Sequence, residues 1–108
     1  MGVIRVVVAG GHDRSAGDGV LPDERPAADA VARDLRDAGM EVVRIRDGAP
    51  AAVVRSCVQE DAVAVCVAGA ARAAAVRAAL AAEGAADVPV LDVEAEPDVA
   101  AVIRARPA

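Results

Sequence analysis

The sequence predicts one α/β domain: a doubly wound parallel sheet of four strands, with helices on both faces. Three observations predict it. Short β-branched runs alternate four times with segments of helical period, the pattern of repeated strand–helix–strand units. Two of the runs, residues 3–9 (VIRVVVA) and 62–68 (AVAVCVA), are almost unbroken apolar sequence, as in strands covered on both faces. Apart from the first loop the connections are short, so each helix serves as a right-handed crossover between parallel strands.

Taken in order, residues 3–9 form the first strand, and a loop rich in Gly, Asp, Pro and Ser follows to about residue 25. Pro26 suits the first turn of a helix. Val31, Leu35 and Ala38 then give an apolar stripe at i, i+4, i+7, with Asp29, Arg33 and Asp37 spaced for weak pairing on the opposite side. Gly39 is placed as a C-terminal cap. Residues 41–46 (EVVRIR) alternate like a strand near an edge. A turn at residues 47–50 leads into a second helix ending near Glu60, with Val54, Cys57 and Val58 expected inward. After the third strand, residues 69–83 read as an Ala-rich helix with Val76 and Leu80 on its core side and Gly84 closing it. Residues 88–93 are the fourth strand. The tail, residues 97–104, reads as a short helix, with a truncated fifth strand as the alternative.

A length of 108 residues leaves room for one domain spanning 1–108. At 56% hydrophobic, the chain has enough apolar surface to fold. It contains no Phe, Tyr or Trp and no Lys, so the core must be aliphatic. The enrichment in Ala, Arg, Gly, Val and Asp has the look of coding in a GC-rich bacterial genome. The net charge is −5, and the 12 basic residues, all Arg, are scattered among acidic ones. With no basic stripe and no aromatic platform, nucleic-acid binding is disfavoured. Apolar stretches fall well short of the roughly 20 residues that span a bilayer. The N-terminus lacks the pattern of a secretory signal, so no membrane association and a cytoplasmic location are expected. Cys57 and Cys66 have no second Cys or His at metal-binding spacing and read as small buried apolar residues.

In parallel sheets ligands bind outside the carboxyl ends of the strands, near the point where strand order reverses. Those ends carry residues 10–15, 47–48, 68–70 and 93–96, and the first holds the single histidine. Gly11-His12-Asp13-Arg14 resembles the Gly-His-Asp-Arg core of the Asp-x-His-x-x-Gly motif found in cobalamin-binding domains of the methylmalonyl-CoA mutase type. Residues 32–43 (ARDLRDAGMEVV) are similar to the helix and second strand of that family. Residues 59–61 (QED) and 83–90 (EGAADVPV) match it at the corresponding later places. The resemblance covers most of the chain in the correct order.

The resemblance implies a flavodoxin-like (Rossmann-like) sheet with a corrin ring over its carboxyl edge and a nucleotide tail between sheet and helices. His12 would be the lower axial cobalt ligand and so the metal-binding residue. Gly11, Asp13, Arg14, Ser15, Ala68 and Gly69 would complete the cofactor-binding set. The first helix and the loop after the third strand would line the tail pocket. The family's role would be to present adenosylcobalamin to a separate mutase-type subunit, as the cofactor component of an acyl-CoA mutase, with no catalytic residue of its own. The departures fall at the same place. Gly10 stands where the family has the carboxylate that orients the histidine, and Ser15 where it has Gly. Residues 15–25 form an insert. The hydroxyls expected after the third strand are missing, and Val93-Glu94 replaces a Gly-Gly pair. These changes equally suit a degenerate relative that keeps the fold without the cofactor and serves as a structural or regulatory partner of a mutase-type protein.

Apart from the resemblance, His12 reads as a solvated loop residue, and Asp13 and Arg14 as loop polar residues that pair with each other. Arg72 and Arg77 read as solvated helix charges. Asp92, Glu94, Glu96 and Asp98 read as an acidic surface.

Overall fold

A computed structural model describes residues 3–9, 24–46 and 48–105, with residues 24–27 described by their backbone. The elements run β1 (Arg5–Ala9), α1 (Glu24–Asp37), β2 (Glu41–Ile45), α2 (Pro50–Glu60), β3 (Ala64–Val67), α3 (Ala70–Ala82), β4 (Val90–Asp92) and α4 (Val99–Ala105). The four strands form one sheet in the order β2-β1-β3-β4. All pairings are parallel, with Val7 opposite Val43 on one side and Val65 on the other, and Cys66 opposite Leu91. Strand order 2-1-3-4 is consistent with a flavodoxin-like fold, the sheet that the resemblance implies. The tail is a helix, α4, and leaves no fifth strand among the described residues.

The pleat sorts the core into two layers, because successive side chains on a strand point to opposite faces. Val7, Ala9, Val65 and Val67 point toward α2 and α3, where Val53, Val54, Cys57, Val76 and Leu80 meet them. Val6, Val8, Ala64 and Cys66 point the other way, onto Ala28, Leu35 and Met40 and onto Val99 and Ile103 of α4. The unbroken apolar runs in β1 and β3 follow from this, since both strands are central and covered on both faces. No charged or polar residue is buried among those described.

Helix ends repeat one device. Gly39, at φ +88°, lets α1 close with Gly39 N–H donating to the Arg36 carbonyl (2.9 Å) and Met40 N–H to that of Leu35 (3.0 Å). This is the Schellman arrangement, with its usual apolar contact between buried Met40 and Leu35. At the end of α2, Asp61 takes the same left-handed place at φ 53°, and Ala62 N–H donates to the Cys57 carbonyl at 3.0 Å. Gly84 ends α3 likewise, with Ala85 N–H donating to the Leu80 carbonyl at 2.8 Å.

Three expectations about side chains are corrected. Val58 does not face inward; it is 62% exposed, and Val53 is fully buried in its stead. The inward arc of α2 is formed by Val53, Val54 and Cys57, and Val58 lies about 40° beyond its edge at Val54. On α1 the buried stripe is Ala28, Ala32 and Leu35, with Val31 and Ala38 half-buried at its borders. Asp29 pairs with Arg44 of β2 at 3.1 Å and not with its own helix, because β2 lies beside α1 in the fold. At the opposite end of the sheet, Arg5 pairs with Glu41 across β1 and β2 and donates to the Glu60 carbonyl at 2.9 Å.

Candidate functional site

The chain leaves β1 for β2 on one side and later returns through β3 to β4 on the other. The carboxyl ends of β1 and β3 are therefore neighbours from which the connections diverge, the place where this sheet class opens a crevice. Ala9 ends β1 and Ala68 follows β3. Both are small and buried, so the two described residues that end these strands put only methyl groups at the switch point.

Of the expected cofactor-binding set, Ala68 and Gly69 are among the described residues and lie at this edge, after β3. Gly11, His12, Asp13, Arg14 and Ser15 lie outside the described residues, in the segment that starts where β1 ends. Gly69 precedes α3 with φ 101° and ψ 137°, a region open to glycine and costly for other residues. A Cβ there would meet no atom within 4 Å, so backbone conformation and not space requires the glycine.

The residue that the sequence reading undervalued is Asp92. It lies at the end of β4 beside Val67 in the register. Its Oδ1 accepts the Gly69 N–H at 2.8 Å and the Glu94 N–H at 3.0 Å. One carboxylate thus ties the turn leaving β4 to the turn entering α3, where the helix dipole also favours negative charge. The bond to Glu94, two residues on, is an Asx turn, the one part of this role readable from sequence. Glu94 and Asp98 are exposed, as the sequence predicts, yet Asp98 Oδ1 also accepts the Ala101 N–H at 3.1 Å at the start of α4, and Glu96 accepts the Asp98 N–H at 3.4 Å. Asp92→Ala is expected to lower the unfolding free energy by about 2 kcal/mol, from two lost bonds to a charged acceptor. Urea denaturation checks this, and an unchanged midpoint would remove Asp92 from the argument.

Two arginines also depart from expectation. Arg77 of α3 donates Nη2 to the Val90 carbonyl at 2.9 Å, binding helix to strand. Arg72 is half-buried and lies over Gly48, where an added Cβ would come within 3.2 Å of its guanidinium carbon. Beside the edge, a groove of about 480 Å³ runs between α1 and the connection from β4 to α4. Val31, Asp34, Glu94, Glu96 and Asp98 are among its lining residues. Four carboxylates give it an environment that repels anions. Among the described residues no three His, Cys, Asp or Glu side chains converge as metal ligands, and no helix is long and apolar enough to cross a membrane.

Neither cysteine belongs to the site. Burial pushes the Cys66 thiol up to about 12. Burial, with Asp61 and Asp87 nearby, raises that of Cys57, whose Sγ lies 3.9 Å from the Ala62 carbonyl oxygen. The thiolate is the nucleophile and the metal ligand, so both groups are inert near neutral pH. Comparison with protein-family models finds no match for the chain, and comparison with curated proteins finds none either.

Proposed function

We propose that this domain is a cobalamin-binding module of the mutase type, with His12 as the lower axial ligand. The observation that carries the reading is topological. The strand order β2-β1-β3-β4 brings Ala9, the last residue of β1, to the switch point beside Ala68-Gly69, and His12 follows Ala9 closely in the sequence. The small residues Ala9, Ala68 and Gly69 suit a flat macrocycle laid over that edge. A bound adenosylcobalamin would supply the radical chemistry, and the domain would position it for a separate mutase-type subunit. A neutral imidazole is a good donor to cobalt, and the partner of its second nitrogen tunes it. Gly10 supplies no carboxylate for that purpose, so weak binding follows.

A second reading has its own support. Asp92 occupies the Gly69 N–H, and the groove beside the edge is lined by carboxylates, a poor environment for a phosphate-bearing nucleotide tail. Both features suit a relative that retains the fold as a structural or regulatory partner of a mutase-type protein.

A visible-spectrum titration with adenosylcobalamin and hydroxocobalamin separates the two. The carrier reading expects a base-off, histidine-on spectrum that His12→Ala abolishes. It also expects Gly10→Asp to tighten binding by about 10–100-fold, the usual weight of such an orienting partner. Binding that survives His12→Ala overturns the ligand assignment. No spectral change with either cobalamin, in the parent chain or in Gly10→Asp, leaves the second reading.

A further inference from the structure

We infer that the α2/α3 layer is the interface of a symmetric homodimer. The two helices border a groove of about 660 Å³ along α2. Ala51, Val54 and Val58 line one wall and Ala79 and Ala82 the other, with Arg55 and Glu83 as the charged members. Val58 projects with 62% of its surface exposed, on a helix whose inner side already holds its core contacts through Val53, Val54 and Cys57.

The flank of this groove is unusual for a surface helix. The inner side of α3 is Ala73, Val76 and Leu80. Its outer side, including Ala71, Ala74, Ala75, Ala78 and Ala82, is exposed and carries no charge except Arg77, whose guanidinium is turned back to the Val90 carbonyl. The exposed stripe Ala71, Ala74, Ala75, Ala78 and Ala82 thus adds an uncharged surface beside the groove, and alanine lets a covering helix approach closely.

The groove itself identifies the covering chain. It presents a projecting apolar side chain, Val58, on one wall and small ones, Ala79 and Ala82, on the other. It also presents one cation, Arg55, and one anion, Glu83, neither of which forms an ion pair among the described residues. In an isologous pairing each copy supplies what the other lacks. A two-fold axis through the groove seats each Val58 against the other copy's Ala79 and Ala82 and brings each Arg55 to the other copy's Glu83. The face is locally neutral, so the overall charge of −5 does not concentrate at the contact.

The test is sedimentation equilibrium or light scattering of the full chain without cobalamin, from micromolar to millimolar concentration. The expected mass is that of two chains. Val58→Glu and Ala78→Glu, both exposed positions, are expected to give monomers with an unchanged far-UV dichroism spectrum. Arg55→Glu and Glu83→Arg are each expected to weaken association by about tenfold or more, and the double charge swap to recover most of the loss. A monomer throughout the range overturns the proposal, and so does a dimer indifferent to Val58→Glu and Ala78→Glu. A double swap no tighter than the single variants overturns the two-fold pairing.

Discussion

Leu80→Ala is expected to lower the unfolding free energy by about 3–5 kcal/mol, and Leu35→Ala by a similar amount. These are the two largest fully buried side chains in a core that contains no aromatic residue. Each anchors one layer: Leu35 lies with Val6, Val8, Met40 and Ile103, and Leu80 with Val7, Val65, Val76 and Val90. Truncation removes transfer energy and leaves a cavity that the neighbours fill only by moving. Around Leu80 many neighbours are Val and Ala, short side chains with little reach, so collapse is restricted. For a domain of this size, with a typical stability of about 5–15 kcal/mol, either variant removes a large fraction of the total. Urea denaturation at fixed protein concentration measures it. A loss below about 1 kcal/mol for Leu80→Ala would mean that the α2/α3 layer is not packed as described.

The second large effect is alkaline destabilisation through Cys66. Its folded-state value, about 12, lies above the ordinary 9.0 because burial penalises the thiolate. A raised folded value means that the unfolded chain releases this proton first as pH rises. The stabilisation is therefore complete below about pH 9 and is lost progressively up to about pH 12. The loss is on the order of 3–4 kcal/mol over that window, and Cys57 acts in the same direction. The chain makes this unusually clean to measure. With no Tyr and no Lys, the thiols are the side chains that titrate between pH 9 and the range of arginine. Urea midpoints under reducing conditions should fall steadily from pH 9 to 11 in the parent chain. Cys66→Ala lowers stability throughout but flattens the slope. Equal slopes in the two proteins would refute the assignment.

Much of the architecture was readable because its determinants are local. The order of strands and helices follows from period, and the ends of α1 and α3 from Gly39 and Gly84. The burial of β1 and β3 on both faces follows from two apolar runs. Fold class and the place of a binding edge come from these alone. Of the candidate site, the position of Ala68 and Gly69 between β3 and α3 was legible, while His12 and its neighbours lie outside the described residues.

The misjudged residues share one feature: their roles depend on partners far along the chain. Sequence spacing offered Asp29 a partner on its own helix, whereas β2 brings Arg44 to it. Nothing near Asp92 announces Gly69, 23 positions earlier, as the donor to its carboxylate. The turn of α2 that buries Val53 and exposes Val58 depends on where the sheet and α3 press against it, and both valines are equally apolar as sequence. By itself the sequence determined which segments are strands and helices, where they stop and which runs are fully enclosed, because these follow from backbone preference and from patterns within a few residues. Tertiary structure alone decided the rotation of α1 and α2 and the partner of each charge, because these depend on which surfaces the closed sheet brings within a few ångströms.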